Sequence, residues 1–230
     1  YDDTWNMDIS QIEAKITVKT KAIMAVHIFG LSVDMDPLIK LAKQNNLLII
    51  EDAAEAIGLN YKGKPCGSFG DISTFSFYPN KLITSGEGGM IVTDDEALAE
   101  RCRSLRNLCF KPEKRFVHDE LGWNFRMTNI QAAVGLAQLE QLSQSVIKKR
   151  WIGNKYQENL KDVKELIKLP LKKTDYTENI YWVFGMVLND MTSLNGAGEM
   201  MAELSQNGIG SRPFFFPLHN QPVLGYSNVS

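Results

Sequence analysis

Apolar and polar positions in the first half of the chain follow two alternating rhythms. Short, almost continuous apolar runs stand at KAIMAVHIFG (21–30), LLIIEDAAEAIG (47–58), DISTFSFY (71–78) and GGMIVT (88–93). Between them, MDPLIKLAKQNN (35–46) and DDEALAERCRSLRN (94–107) place apolar residues at helical spacing. Pro37 sits near the start of the first, and the acidic-to-basic order of the second complements a helix dipole. Apolar strands separated by helices predict a parallel or mostly parallel sheet covered on both faces. Ligands of such sheets bind beyond the carboxyl ends of the strands. Asp52, Ser76 and Lys81 all fall at or just past such an end.

From Thr128, the segment TNIQAAVGLAQLEQLSQSVIKKRWIGNKYQENL predicts one long helix over 128–160 with Thr128 as its N-cap. Beyond about residue 162 the pattern changes. YWVFGMVL (181–188) reads as a strand, GAGEMMAELSQNG (196–208) as a helix ending at glycine, and RPFFFPLHNQP (212–222) as an extended aromatic and proline segment. This predicts a large α/β domain over 1–161, including the connecting helix, and the start of a smaller α+β domain over 162–230. The chain opens on Tyr1 and stops in GYSNVS, so it is expected to be an internal piece of something longer.

Composition narrows the function classes. With 230 residues, 44% hydrophobic content and a formal net charge of -2, the chain has apolar material for one large core or two smaller ones. A nucleic-acid binder would carry a basic surplus that is missing here. The one tight basic run, Lys148-Lys149-Arg150, reads as a solvated helix face rather than a phosphate patch. No apolar run approaches the roughly 18 residues of a membrane span, and the N-terminus shows no signal segment. Cys66, Cys102 and Cys109 form an odd, unpatterned set, which points to a reducing compartment, the cytoplasm by default. His27, His118 and His219 are too scattered to suggest a metal site.

GEGG lacks the spacing and the following helix of a dinucleotide fingerprint, and neither a phosphate loop nor a Gly-x-Ser-x-Gly elbow is present. What remains is a constellation. Asp52 ends a buried strand, where an ionised carboxylate is costly unless it faces a cation or several donors. Lys81 presents an amine 29 positions on, and Ser76 lies five residues before it. The set suits pyridoxal 5′-phosphate (PLP): an amine for the cofactor's aldehyde, a carboxylate for its ring nitrogen, a hydroxyl for its phosphate. Singly, Asp52 reads equally well as a helix N-cap before DAAEA, and Lys81 as a surface turn residue. The residues by themselves leave both readings standing.

EDAAEAIG, GSFGDISTFSFYPNKLITSGEGGMIVT and GWNFRMTNIQAAVGLAQLEQL resemble, in order, the signatures of the DegT/StrS family of PLP-dependent nucleotide-sugar aminotransferases. The wording EGGMIVT and FRMTNIQAA is most similar to its perosamine-synthase-like branch. The resemblance implies the aspartate-aminotransferase-like (type I) fold, a mostly parallel sheet between helices. It implies transfer of an amino group from an amino acid, glutamate by family expectation, to a nucleotide-linked 4-keto-6-deoxy sugar for polysaccharide synthesis. By the same resemblance Lys81 is the Schiff-base lysine and Asp52 the partner of the pyridinium. Glu55 lies beside the cofactor ring, Ser76 binds its phosphate, and Asn129 reaches the phosphate held by the neighbouring subunit of a homodimer with shared sites. His27, Arg212 and His219 match family positions expected near the sugar nucleotide. The family is longer than this chain; its N-terminal phosphate loop and stacking aromatic have no counterpart in these 230 residues. Members with histidine at the lysine position are dehydratases, which Lys81 argues against. The competing readings are a PLP enzyme acting on another ketone and a non-catalytic or regulatory dimer that kept the fold.

Overall fold

In the computed structural model, residues 3–114, 116–189 and 196–224 are described. The chain divides into two compact units, Tyr1–Glu158 with Pro170–Phe184, and Asn159–Leu169 with Gly185–Ser230.

The first unit is built on a four-stranded sheet. In chain order its pieces are β1 (Ala22–Val26), α1 (Met35–Gln44), β2 (Leu48–Asp52), the short antiparallel pair β3 (Asn60–Tyr61) and β4 (Lys64–Pro65), β5 (Ile72–Ser76), β6 (Gly89–Val92), α2 (Glu96–Arg106), α3 (Asn129–Leu139) and α4 (Leu142–Asn159). The sheet runs β1-β2-β5-β6. β1, β2 and β5 are parallel and β6 returns antiparallel to β5. The carboxyl ends of β2 and β5 therefore open on one edge, and the first residue of β6 pairs with Ser76 there.

Side chains alternate across this sheet. Ile23, Ala25, Ile49, Glu51 and Ser73 point to the buried face. Leu38 and Ala42 of α1 share the core with Ile23, Ala25 and Ile49. The other face is apolar too, which is why the strands read as continuous runs. Among the described residues, however, Met24, Leu48 and Ile91 stay about half exposed on it, so one face is covered rather than two.

The long helix expected over 128–160 is two helices. Thr128 does cap α3: its side chain accepts from Gln131 N at 3.2 Å, and the Gln131 side chain accepts from Thr128 N at 3.0 Å. The ladder then fails at Glu140–Gln141. There Gln141 N bonds Gln138 O, an i→i−3 closure, and Ser145 N restarts the helix on Gln141 O. Gln138 anchors the end of α3, since its amide both accepts from Thr84 N (3.1 Å) and donates to Thr84 O (2.8 Å).

In the second unit, β7 (Ile167–Lys168) pairs antiparallel with β8 (Val187–Leu188), followed by α5 (Ala197–Gln206). The strand expected over 181–188 is thus only Val187–Leu188. Residues 180–182 are instead strapped to the first unit's own turn, with Ile180 N donating to Gly30 O at 3.0 Å. The segment 212–222 is extended, with a 3-10 turn at Leu218–Asn220. The last six residues, GYSNVS (225–230), lie outside the described residues.

Candidate active site

Strand alternation separates the two consecutive carboxylates of β2. Glu51 turns into the core and is fully buried. It accepts from His27 Nε2 (2.9 Å), from the backbone N–H groups of Gly67 (2.7 Å), Phe69 (2.6 Å) and Gly70 (2.7 Å), and from Ser73 Oγ (3.3 Å). Burial would push its pKa up, but the hydrogen bonds from His27 and the three backbone donors outweigh it and hold the carboxyl at about 2. Glu51 thus seals the carboxyl end of β2 from below.

Asp52 is half-buried on the opposite face. Its Oδ1 accepts from Ala54 N at 3.0 Å. No helix follows, because residues 53–58 form turns, so Asp52 closes a local turn and is not a helix N-cap. Among the described residues Oδ2 has no hydrogen-bond partner.

Asp52 pairs with Thr74 across the sheet. Ser76, two residues further along β5, therefore shares its face, about 7 Å along the strand direction and one strand over. The Ser76 hydroxyl accepts from Tyr78 N at 3.3 Å, which leaves its O–H to donate. Residues 77–88 form the loop that carries Lys81. Lys81 N bonds Tyr78 O (3.0 Å), and Ser85 N and Thr84 Oγ1 both bond Phe77 O, at 3.1 and 2.7 Å. This folds the loop back onto the strand end. The Lys81 ammonium lies over the Trp182 ring, 4.1 Å from its centroid.

Trp182 is nearly buried and tightly held. Its Nε1 donates to Asn80 O at 3.0 Å, its carbonyl accepts from Lys149 Nζ at 3.0 Å, and its ring stacks on Phe29 with centroids 6.3 Å apart. Phe29 has a left-handed backbone, φ 55°, an unfavourable state for a non-glycine residue. Glu55 holds it there: Oε2 accepts from Phe29 N at 2.6 Å. Glu55 thus supports, through Phe29 and Trp182, the surface on which the Lys81 amine rests.

The remaining expected residues are placed as follows. His27 is fully buried. Val33 N donates to its Nδ1 (3.2 Å), and its Nε2 lies 2.9 Å from Glu51 Oε2 as the donor of that contact. Both nitrogens are committed inside the core, so His27 is an architectural residue and not a substrate-facing one. Asn129 is exposed in the first turn of α3. Arg212 and His219 lie exposed in the second unit, with the Arg212 guanidinium 5.0 Å from the Phe215 ring. Glu51, Phe29 and Trp182 were not singled out from the sequence. Strand alternation next to Asp52 was the available signal for Glu51; nothing local marked the other two.

The donor set fits PLP. A half-buried carboxylate with an open oxygen and a donating hydroxyl share one sheet face at the strand ends, and the adjoining loop supplies an amine. Among the described residues, no group of three His, Cys, Asp or Glu side chains could hold a metal, and no helix is long and apolar enough to cross a membrane.

The sequence pattern of the DegT/DnrJ/EryC1/StrS aminotransferase family matches residues 1–229. The GDP-perosamine synthase of Escherichia coli O157:H7 is 43% identical over 222 residues, which cover 96% of this chain and 59% of that protein. Among solved structures, Helicobacter pylori PseC, an aminotransferase involved in pseudoaminic acid biosynthesis, superposes with a TM-score of 0.89 at 26% identity, over 100% of this chain and 62% of that one. The E. coli GDP-4-keto-6-deoxy-D-mannose-3-dehydratase with bound hydrated PLP gives a TM-score of 0.83 at 26% identity, over 97% and 61%. The chain spans about three fifths of the length of each of these proteins.

Proposed function

The chain belongs to the DegT/DnrJ/EryC1/StrS aminotransferase family, and from that premise we propose that the whole protein is a PLP-dependent transaminase acting on nucleotide-linked sugars. The amino-group donor is an amino acid, glutamate in this reading, and the acceptor a 4-keto-6-deoxy sugar on its nucleotide. The likeness to a GDP-perosamine synthase supports that acceptor class. The protein works in the cytoplasm as a homodimer with shared sites, so that exposed Asn129 serves the neighbouring subunit's cofactor phosphate. A large domain over 1–161 carries the cofactor, and a smaller one from 162 contributes Arg212 and His219 to the sugar nucleotide.

The observation that carries this reading is the placement of Asp52 and Ser76 on one sheet face at the strand ends, with the Lys81 loop beside them. When bound, PLP supplies an aldehyde for the amino group and a ring that delocalises the electron pair left by proton removal. Asp52 would keep a proton on the ring nitrogen through its open oxygen, and Ser76 would donate to the phosphate. Glu55 would lie beside the cofactor ring, and it fixes the Phe29 turn. Lys81 would hold the cofactor through its amine, and that amine, when free, would move a proton as general base and acid.

The test is chemical capture. PLP added to the full-length protein, followed by borohydride, should leave the cofactor on Lys81 in a peptide map, and Lys81→Ala should lose transamination while keeping its fold. Retained transamination in that variant sinks the assignment. The fold likeness to a dehydratase raises dehydration as an alternative reaction, against which Lys81 argues. Product analysis with a panel of nucleotide-keto sugars separates amination from dehydration.

A further inference from the structure

Beside Lys81 the first unit holds a cavity of about 290 Å³ whose lining, among the described residues, includes three lysines and no carboxylate. That volume lies just below the usual size of ligand pockets, about 300–1,000 Å³, and suits one charged group rather than a whole nucleotide sugar. Lys81 and Trp182 form one wall. The other is a stripe of α4: Ser145, Lys148 and Lys149 stand at i, i+3 and i+4 and so project from one helix face.

This resolves the basic run that reads from sequence as a solvated face. Helix geometry splits it. Arg150 turns away to Glu178, with Nη1 3.2 Å from Oε2, and Nε and Nη2 reach the carbonyls of Asn179 and Glu178. Lys148 and Lys149 face the cavity. Lys149 is half-buried, and its ammonium meets a neutral partner, Trp182 O at 3.0 Å. Among the described residues no acid pairs with it, and burial pushes its pKa below the usual lysine value with no opposing charge to restore it. The Lys148 and Lys149 ammonium groups and the Ser145 hydroxyl, with no acid paired to either lysine among the described residues, make an arrangement that a multiply charged anion completes.

We infer that this cavity is a phosphoryl-oxyanion pocket, in which Lys148, Lys149 and the Ser145 hydroxyl receive a diphosphate of the kind that links a sugar to its nucleoside. The identity of that anion rests on the function proposed above. Ser76, assigned to the cofactor phosphate, lines no part of this cavity, so the two phosphoryl sites are distinct. The pocket borders Lys81, so a diphosphate seated there tethers its sugar next to the amine that moves the proton.

The experiment is calorimetric titration of the full-length protein with inorganic pyrophosphate, with orthophosphate as the smaller competitor. Pyrophosphate should bind, Lys148→Gln should weaken it about tenfold, and Lys148→Glu should weaken it further, as expected when a charge partner is removed or reversed. Lys148→Arg should restore binding. Lys148 is exposed, so these changes leave the fold alone; Lys149→Gln, which can still donate to Trp182 O, is the second variant. Ser76→Ala should leave pyrophosphate affinity unchanged while lowering PLP affinity. The inference fails if Lys148→Glu and Lys149→Gln bind pyrophosphate within about twofold of the parent. It fails equally if Ser76→Ala abolishes binding, because the anion then sits in the cofactor cradle. Borohydride capture on Lys81 in the same variants keeps the two ideas apart. Normal capture with unchanged pyrophosphate binding overturns the pocket alone, whereas no capture with charge-dependent pyrophosphate binding overturns the function and supports the pocket.

Discussion

The Lys81 ammonium rests 4.1 Å above a ring that lies 101 residues further along the chain, Trp182. That ring is fixed at its indole nitrogen, its carbonyl and its stacked face. Trp182→Phe keeps an aromatic face and loses the bond to Asn80 O, a cost of about 1 kcal/mol in stability. Trp182→Leu also empties part of a packed site, and should cost about 2–4 kcal/mol. Borohydride capture of PLP should be slowed in the leucine variant and nearly unchanged in the phenylalanine one, once both are compared below their unfolding temperatures. Equal capture in all three proteins would show that the ring plays no part in placing the amine.

Glu51 gives a pH prediction with a definite sign. Its folded pKa, about 2, lies below the unfolded value of 4.5. The stabilisation is therefore complete above pH 4.5 and is lost as pH falls toward 2. The difference corresponds to on the order of 3 kcal/mol. Glu51→Gln should be less stable at neutral pH by roughly that amount, and its stability should change less between pH 5 and 2. Denaturant unfolding at stepped pH measures both. A Glu51→Gln protein with the parent's acid sensitivity would place that sensitivity elsewhere.

The adjacent carboxylate should behave in the opposite way. Asp52 is half-buried and makes one hydrogen bond to backbone within two residues, which an amide oxygen can also accept. Asp52→Asn should thus change stability by less than about 1 kcal/mol. On the proposed function it should lower transaminase turnover of the full-length protein by about 10²-fold or more, since it removes the group proposed to keep the ring nitrogen protonated. Measuring melting temperature and turnover for Asp52→Asn and Glu51→Gln side by side tests whether strand alternation divides the two acids into a chemical and a structural one.

How much of this was legible in the sequence follows from how local each signal is. The strands, α1, α2 and the Thr128 cap are written in short-range periodicity and end residues, so they were readable. Strand ends also pointed to the positions of Asp52, Ser76 and Lys81, and the structure sets Asp52 and Ser76 on one sheet face with Lys81 in the loop that follows. The break at Glu140–Gln141 carries no glycine or proline. It comes with Gln138 clamping onto Thr84, 54 residues away, a contact that no local pattern announces. YWVFGMVL has strand composition, yet Tyr181 adopts φ 49° and the Ile180–Trp182 stretch is tied to Gly30 and Asn80. Tertiary contact overrides propensity there. His27 was expected near the sugar nucleotide from the family resemblance; its ring nitrogens instead meet Glu51 and Val33 N in the core, contacts that no local pattern announces.

Gly67 supplies a last test, with an internal control. It has φ +88° and donates to Glu51, and an added Cβ would lie 2.2 Å from the Phe75 ring. Gly63 has nearly the same backbone, φ +82°, but nothing within 4 Å of an added Cβ. Alanine at either site meets the left-handed penalty of about 1–2 kcal/mol. Alanine at 67 must also displace Phe75 or the loop whose N–H groups at 67, 69 and 70 hold Glu51, which adds about 1–3 kcal/mol. Thermal unfolding of Gly63→Ala and Gly67→Ala should therefore separate backbone strain from crowding, with the second clearly less stable. Because a shifted loop also releases Glu51, the Gly67→Ala protein should resemble Glu51→Gln in its flattened response to acid, and Gly63→Ala should not.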